Sequence, residues 1–413
     1  MRTFIPAPIL ALIAVSASGA YAGDLAYDFT LVESFNPSYD LAETFVVDIN
    51  EQNVAIGTDT FGGFRWTADT GKIELPSSGP RHINNLGEIL YGGSILDPDT
   101  GDFSFLPDAP HPYPNRSARA MNDLGVVVGH EYTNGSGCKP FNCPLDCAFN
   151  YVYDPVNGAR NVDVPNLRSF RDVNNSNIAV GVIISECDNT RGVVYDLQTD
   201  EMINLSDQLP PIDLIGRPAQ VQPVRISDGG HVIGTAIYGS EPQSPFVWTQ
   251  QDGFTFLAAP EGANYGYIYP SAVNAHGVVI GEALDEDAGG PIGDWRAVIW
   301  VTPDNPQYLD ELITDLPAEF LFENVYSIND NGWITGSGHF GPGWATQRGV
   351  VLQPLAPNLP GDVDQSGTVD LGDLNMVLAN FGTTNEQGDA TGDGQVDLAD
   401  LNLVLANFGS VSG

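Results

Sequence analysis

Two stretches near the C-terminus place carboxylates and hydroxyls at alternating positions, the pattern of an oxygen cage for a hard divalent cation. In the first, Asp362, Asp364, Ser366, Asp370 and Asp373 stand at loop positions 1, 3, 5, 9 and 12, with Gly367 at position 6. In the second, the same positions hold Asp389, Thr391, Asp393, Asp397 and Asp400, with Gly394 at 6. Position 7 contributes a backbone carbonyl, from Thr368 and from Gln395. Ca²⁺ takes six to eight oxygens, and a glycine at position 6 permits the sharp turn that gathers them. The spacing therefore predicts two Ca²⁺ ions, one per loop.

Each loop runs into nearly the same phrase, DLGDLNMVLANFG from Asp370 and DLADLNLVLANFG from Asp397. Leu371, Leu374, Leu378 and Phe381 recur at helical spacing, as do Leu398, Leu401, Leu405 and Phe408, and mark the expected apolar faces. Asp370 and Asp397 suit helix starts, Gly382 and Gly409 helix ends. No helix precedes either loop, so each is half an EF-hand. From Gly361 to Gly413 there are nine acidic side chains and no Lys or Arg. Such crowding of like charge opposes compaction. Calcium would neutralise part of it, so the segment is expected to be loose without the metal and folded with it. A merely acidic, solvated tail is the alternative; it would not repeat the glycine and the helix.

Loop, helix, linker, loop, helix over residues 361–413 resembles a type I dockerin. The resemblance implies calcium binding and docking onto a cohesin-like module of a scaffold or cell-surface protein, in either of two orientations. It also implies a connection with polysaccharide breakdown, because dockerins are mostly attached to enzymes of that kind. Asp at position 12 follows the dockerin pattern, whereas a regular EF-hand has Glu there. Thr391 is a weaker ligand than Asp or Asn. Dockerins of clostridial type often carry Ser/Thr at positions 10 and 11 and basic residues later in the helix. Here Leu371-Gly372 and Leu398-Ala399 stand at those positions, and the module has no basic residue.

The N-terminus reads as a secretory signal over residues 1–22. Arg2 opens it, Ile5–Val15 is mainly apolar, and Ala20-Tyr21-Ala22 offers a cleavage site before Gly23. An uncleaved N-terminal anchor is the alternative. No later stretch approaches the roughly 20 apolar residues that span a bilayer. A net charge of −38 speaks against nucleic acid and anionic membrane surfaces as partners. After export, Cys138, Cys143, Cys147 and Cys187 suggest two disulfides of undetermined pairing; their spacing does not match common zinc knuckles.

Between the signal and the acidic tail one phrase recurs seven times. It reads DINEQNVAIG from Asp48, HINNLGEILYG from His82, AMNDLGVVVG from Ala120 and DVNNSNIAVG from Asp172. RISDGGHVIG from Arg225, AVNAHGVVIG from Ala272 and SINDNGWITG from Ser327 follow. Three residues after the anchor Asn (Ser in the fifth copy) stand Asn53, Gly87, Gly125, Asn177, Gly230, Gly277 and Gly332. Gly and Asn best tolerate positive φ, so the phrase predicts a hairpin with a tight turn. A third apolar strand follows, often ending in Trp or Tyr, and then a fourth, such as those at 72–75, 103–106 and 254–257. Four strands per repeat is the arithmetic of a β-propeller blade. The expected body is thus an all-β, seven-bladed propeller over residues 23–352. The seventh repeat lacks a clear fourth strand, which Tyr27–Glu33 could supply. A Pro-rich linker, 353–360, would join body and tail. A β-helix or paired sandwiches are the other architectures weighed. The phrase also resembles the HAF-type extracellular repeats of bacteria, which implies a fold and an extracellular address but no reaction.

Familiar catalytic signatures are absent. Six histidines occur, at 82, 111, 130, 231, 276 and 339, and two of them (His231, His276) lie in or beside hairpin turns. Asp48, Asp123 and Asp172 recur at hairpin positions, where capping a turn is the ordinary role. Trp66, Trp248 and Trp300 are expected to pack between blades, with sugar stacking as the sharper alternative. No catalytic residue can be named from spacing. Two functions stay open. One is a secreted binding protein whose propeller holds a glycan or protein while its calcium-folded tail docks. The other is a glycoside hydrolase or lyase attached through the same tail.

Overall fold

The chain is described by a computed structural model over residues 25–38, 41–109, 115–132, 148–185, 189–209, 220–237, 243–287, 294–341, 346–355, 361–364, 366–384, 387–391 and 394–410. Residues 1–22, read from the sequence as a secretory signal, and all four cysteines lie outside these residues. The chain separates into two compact units at Pro354/Leu355.

Ala26–Pro354 is a seven-bladed β-propeller made of seven four-stranded antiparallel sheets. The first six blades take their strands in chain order, beginning with Thr44–Ile49, Ala55–Asp59, Gly62–Thr67 and Gly71–Glu74. The seventh combines Phe320–Ile328, Ile334–Phe340 and Arg348–Pro354 with Tyr27–Val32. Tyr27 pairs with Pro354 and Val32 with Gly349, so the two ends of the body close the ring and cover a strand edge. Gln353 and Pro354, placed in the linker by composition, belong to this last strand.

The hairpin turn explains the slot that only Gly and Asn fill. Asn53, Gly87, Gly125, Asn177, Gly230, Gly277 and Gly332 all hold φ between 58° and 82°. A second device sits one strand away. The innermost strand of six blades carries a register shift, for example between Val46 and Asp48 or between Phe170 and Asp172. The extra residue of such a bulge is unpaired and free to be re-aimed. Opposite each bulge stands the glycine that ends the repeated phrase: a Cβ at Gly234 would overlap the carbonyl oxygen of Gln222, and one at Gly281 that of Tyr269.

Apolar side chains fill the spaces between blades. One cluster joins Val180 and Val194 of blade four to Val221, Phe246 and Trp248 of blade five; another joins Ile233 of blade five to Ile268, Val298 and Trp300 of blade six. Trp66, Trp248 and Trp300 are all buried, in the inter-blade role expected of them. Complete burial of such a side chain contributes about 1.5–3 kcal/mol.

The C-terminal unit contains two helices, α1 (Leu371–Ala379) and α2 (Leu398–Ala406). Val369, Val377, Val396 and Val404 form its core, with Val363, Leu374, Ala390 and Leu401 against it. Every member has a partner 27 positions away, so the core has internal two-fold character. The expected apolar faces are only partly right. Leu374 and Leu401 pack inward, but Leu371, Leu378, Phe381, Leu398, Leu405 and Phe408 are exposed. Val377 and Val404 take the inward face instead, because the valines of the loops meet them there.

Candidate functional site

In the first acidic loop, Asp362, Asp364 and Asp373 each offer one carboxylate oxygen, and these lie within 4.8 Å of one another. Asp373, at the start of α1, is fully buried. Its Oδ1 accepts from the Val363 and Asp364 amides at 2.6 and 3.1 Å, and its Oδ2 from the Asp370 amide at 2.8 Å. Position 12 thus staples the head of the loop to the helix start. Asp370 caps α1 through the Gly372 amide at 2.6 Å, completing a capping box. Asp362 accepts from the Ser366 and Gly367 amides, at 3.0 and 2.8 Å. The Ser366 hydroxyl donates to the Thr368 carbonyl at 3.2 Å. Gly367 holds φ 81°. Burial raises the pKa of Asp362, and the charges of Asp373 and Asp364 push the same way.

The second loop repeats the scheme. Asp400 accepts from the Thr391 amide at 3.0 Å and the Asp397 amide at 2.7 Å; Asp397 caps α2 through the Ala399 amide at 2.7 Å. Asp389 accepts from the Gly394 amide at 2.7 Å, and Gly394 holds φ 86°. Thr391 stands where the first loop has Asp364, and its hydroxyl donates to Asp400 at 3.0 Å. Asp393 lies outside the described residues. Among those described, only the first loop gathers three carboxylates. The two loops clasp reciprocally: the Gly382 amide donates to the Val396 carbonyl and the Gly409 amide to that of Val369, each at 2.8 Å. A donor set made wholly of carboxylate, hydroxyl and carbonyl oxygen suits Ca²⁺ and does not suit zinc.

In the propeller, the anchor asparagines do two things that the repeat by itself does not reveal. Asn50 Oδ1 accepts from the Gln52 and Val54 amides and so caps its own turn. Asn50 Nδ2 donates to the Asn84 carbonyl of the next blade at 3.0 Å. Asn122, Asn174, Asn274 and Asn329 donate onward in the same way, and Asn329 returns to the Asn50 carbonyl at 2.9 Å. The ring of amides breaks at Ser227, whose hydroxyl lies 3.2 Å from His231 Nδ1 instead. The recurring aspartates also work across blades rather than on their own turns. Asp48 accepts from the Ile83 amide at 2.9 Å, Asp172 from the Ile226 amide at 2.9 Å, and Asp123 from the Asn85 amide at 2.6 Å. Burial disfavours the charge on His82, yet Asp48, 2.8 Å away, outweighs it and raises the imidazole pKa.

Two of the cavities border the inner strands, and Arg81, Arg119 and Arg225 line both of them. Beside the hairpin turns, Glu51, Asp123, Asp228 and Asp330 crowd together; burial first, then repulsion from these neighbours, pushes Glu51 to about 7. The larger of the two is a cavity of about 1040 Å³. Arg81, Arg119, Arg168, Arg171 and Arg225, five of the fifteen basic residues of the chain, line it. Glu282 is its acidic member; it accepts from the Ser271 hydroxyl at 3.2 Å and the Val325 amide at 3.2 Å, and burial raises it to about 7. His130 shares the cavity and is pushed down to about 4 by burial, then by Arg119 and Arg81.

No family model and no curated protein matches the chain. Solved structures do. An oligogalacturonate lyase in complex with manganese is similar over 80% of this chain and 97% of its own, at 9% identity and a TM-score of 0.51. The β-propeller domain of the trilobed protease from Pyrococcus furiosus covers 69% of this chain and 84% of its own, at 12% identity and a TM-score of 0.42. At such identities the likeness is one of fold. No helix among the described residues is long and apolar enough to cross a membrane.

Proposed function

We propose that this chain is a secreted binding protein in which a propeller holds a glycan or protein ligand while a dockerin-like tail, folded by two Ca²⁺ ions, docks onto a cohesin-like or cell-surface partner. The observation that carries the reading is the buried position-12 aspartate of each loop, Asp373 and Asp400, tying loop to helix in the same way twice. Asp362, Asp364, Ser366 and the Thr368 carbonyl would complete the first cage; Asp389, Thr391, Asp393 and the Gln395 carbonyl would complete the second. The exposed Leu371, Leu378 and Phe381, and their counterparts Leu398, Leu405 and Phe408, supply two equivalent apolar faces for a partner, in place of the missing basic residues.

The test is a calcium titration of segment 355–413, followed by far-ultraviolet circular dichroism with a chelator control. A cooperative gain of helix at about two ions per chain is expected. Helix content indifferent to both calcium and chelator would remove the docking reading.

Glu282 favours a second reading, a polysaccharide-degrading hydrolase or lyase. A carboxyl group poised near neutrality in a large cavity is suited to acid–base work. Release of reducing ends from acidic or neutral polysaccharides, lost in Glu282→Gln, would establish it.

A further inference from the structure

We infer that the larger of the two cavities beside the inner strands of the propeller is a binding site for an acidic saccharide, whose carboxylates meet Arg119, Arg171 and Arg225 and whose sugar rings lie against an aromatic rim on blade six. The inference deepens the reading of the propeller as a binding body and rests on that body alone, not on the calcium loops.

The first observation is one of pairing. With 53 acidic residues against 15 basic ones, a cation in this protein has no shortage of partners. Outside the cavity the described cations take them: Arg65, Lys72, Arg116, Arg160, Arg191 and Arg296 all form ion pairs. Arg348 donates instead to the Ala42 carbonyl. Inside it, Arg119, Arg171 and Arg225 make neither an ion pair nor a hydrogen bond among the described residues, and Arg81 bonds only Ser117 and the Ala118 carbonyl. Burial and then mutual repulsion depress the pKa of Arg119 and Arg171. Asp172 lies within electrostatic reach of Arg225, and Glu282, the acidic residue of the cavity, has its charge disfavoured by burial. The mutual repulsion of the remaining guanidinium groups is what an incoming anion would relieve.

The second observation is how they come to be there. Arg119 and Arg171 are the bulge residues of blades three and four, skipped in the register between Ala118 and Ala120 and between Phe170 and Asp172. The same bulge position holds Val47, Val224, Ser271 and Tyr326 in other blades, and all four line the cavity too. One repeated backbone device thus delivers six side chains to one space. Arginine is the side chain whose fork matches a carboxylate bidentately.

The third observation sets the ligand's body. The inner strand of blade six, Ala263–Val273, has 11 residues and is the longest of the described strands. Before it reaches the cavity-lining Pro270 and Ser271 it presents Tyr265, Tyr267 and Tyr269, all exposed. Trp295, also exposed, sits with its ring centroid 5.7 Å from that of Tyr269. Flat aromatic faces with polar edges suit the apolar faces of sugars. A volume of about 1040 Å³ is far larger than one small anion needs and lies at the upper end for organic ligands.

Isothermal titration of the full chain with trigalacturonate, maltotriose and inorganic sulfate tests this. Trigalacturonate should bind, with affinity falling at least tenfold in R171Q and R225Q and severalfold in Tyr269→Ala, while maltotriose gives no measurable heat. Folding is checked by melting temperature, which should not fall when a repelling arginine is removed. Excess chelator should leave the binding unchanged, so failure of docking and failure of this site are separable. Equal binding of maltotriose, sulfate binding as tight as trigalacturonate, arginine variants with unaltered affinity, or no binding at all would each overturn the inference.

Discussion

Glu282 shows what a single residue does when a propeller places it in a large cavity. Its pKa near 7, against an ordinary value of 4.5, means that the fold penalises the ionised carboxylate. A raised carboxylate pKa leaves stability intact below the unfolded value and erodes it as pH climbs toward the folded one. The penalty above pH 7 is on the order of 3 kcal/mol. Glu282→Gln should therefore raise the melting temperature at pH 8 and leave it nearly unchanged at pH 4, as differential scanning calorimetry would record. A gain equal at both values would show that burial of charge is not the cause. Spacing could not single Glu282 out among so many acidic residues, because its environment comes from Ser271 and Val325, the latter on another blade.

At the scale of the element, the repeated phrase is a hairpin with two geometric demands. The turn residue must accept positive φ, and the closing glycine must admit the bulge opposite. Gly234→Ala would drive a Cβ into the Gln222 carbonyl, and we expect a loss of roughly 3 kcal/mol or more in denaturant unfolding. A neutral result would mean that the bulge can shift register freely. The first demand was legible in the sequence, since only Gly and Asn fill that slot. The second was not: a glycine that ends a phrase looks like ordinary punctuation until the strand beside it is known. In the same way helical spacing located α1 and α2, but the choice of inward face followed from valines in the loops rather than from the helices themselves.

For the molecule as a whole, closure is the decisive event. Tyr27–Val32 and Arg348–Pro354 pair over six residues from opposite ends of the body. Deleting 27–32 should lower the melting temperature by at least about 10 °C and promote self-association through the uncovered edge, measured by calorimetry and light scattering. An unchanged melting temperature would show that the ring holds without its clasp. Seven blades, the calcium-type spacing and the need for a borrowed strand were all written locally, because a turn, a period or a loop is specified by neighbours in the chain. The amide ring, the crowding of Glu51 with Asp123, Asp228 and Asp330, and the gathering of arginines from blades two to five were decided only by the tertiary structure. Arg81, Arg119, Arg171 and Arg225 stand tens of residues apart, and nothing but the closing of the circle makes them neighbours.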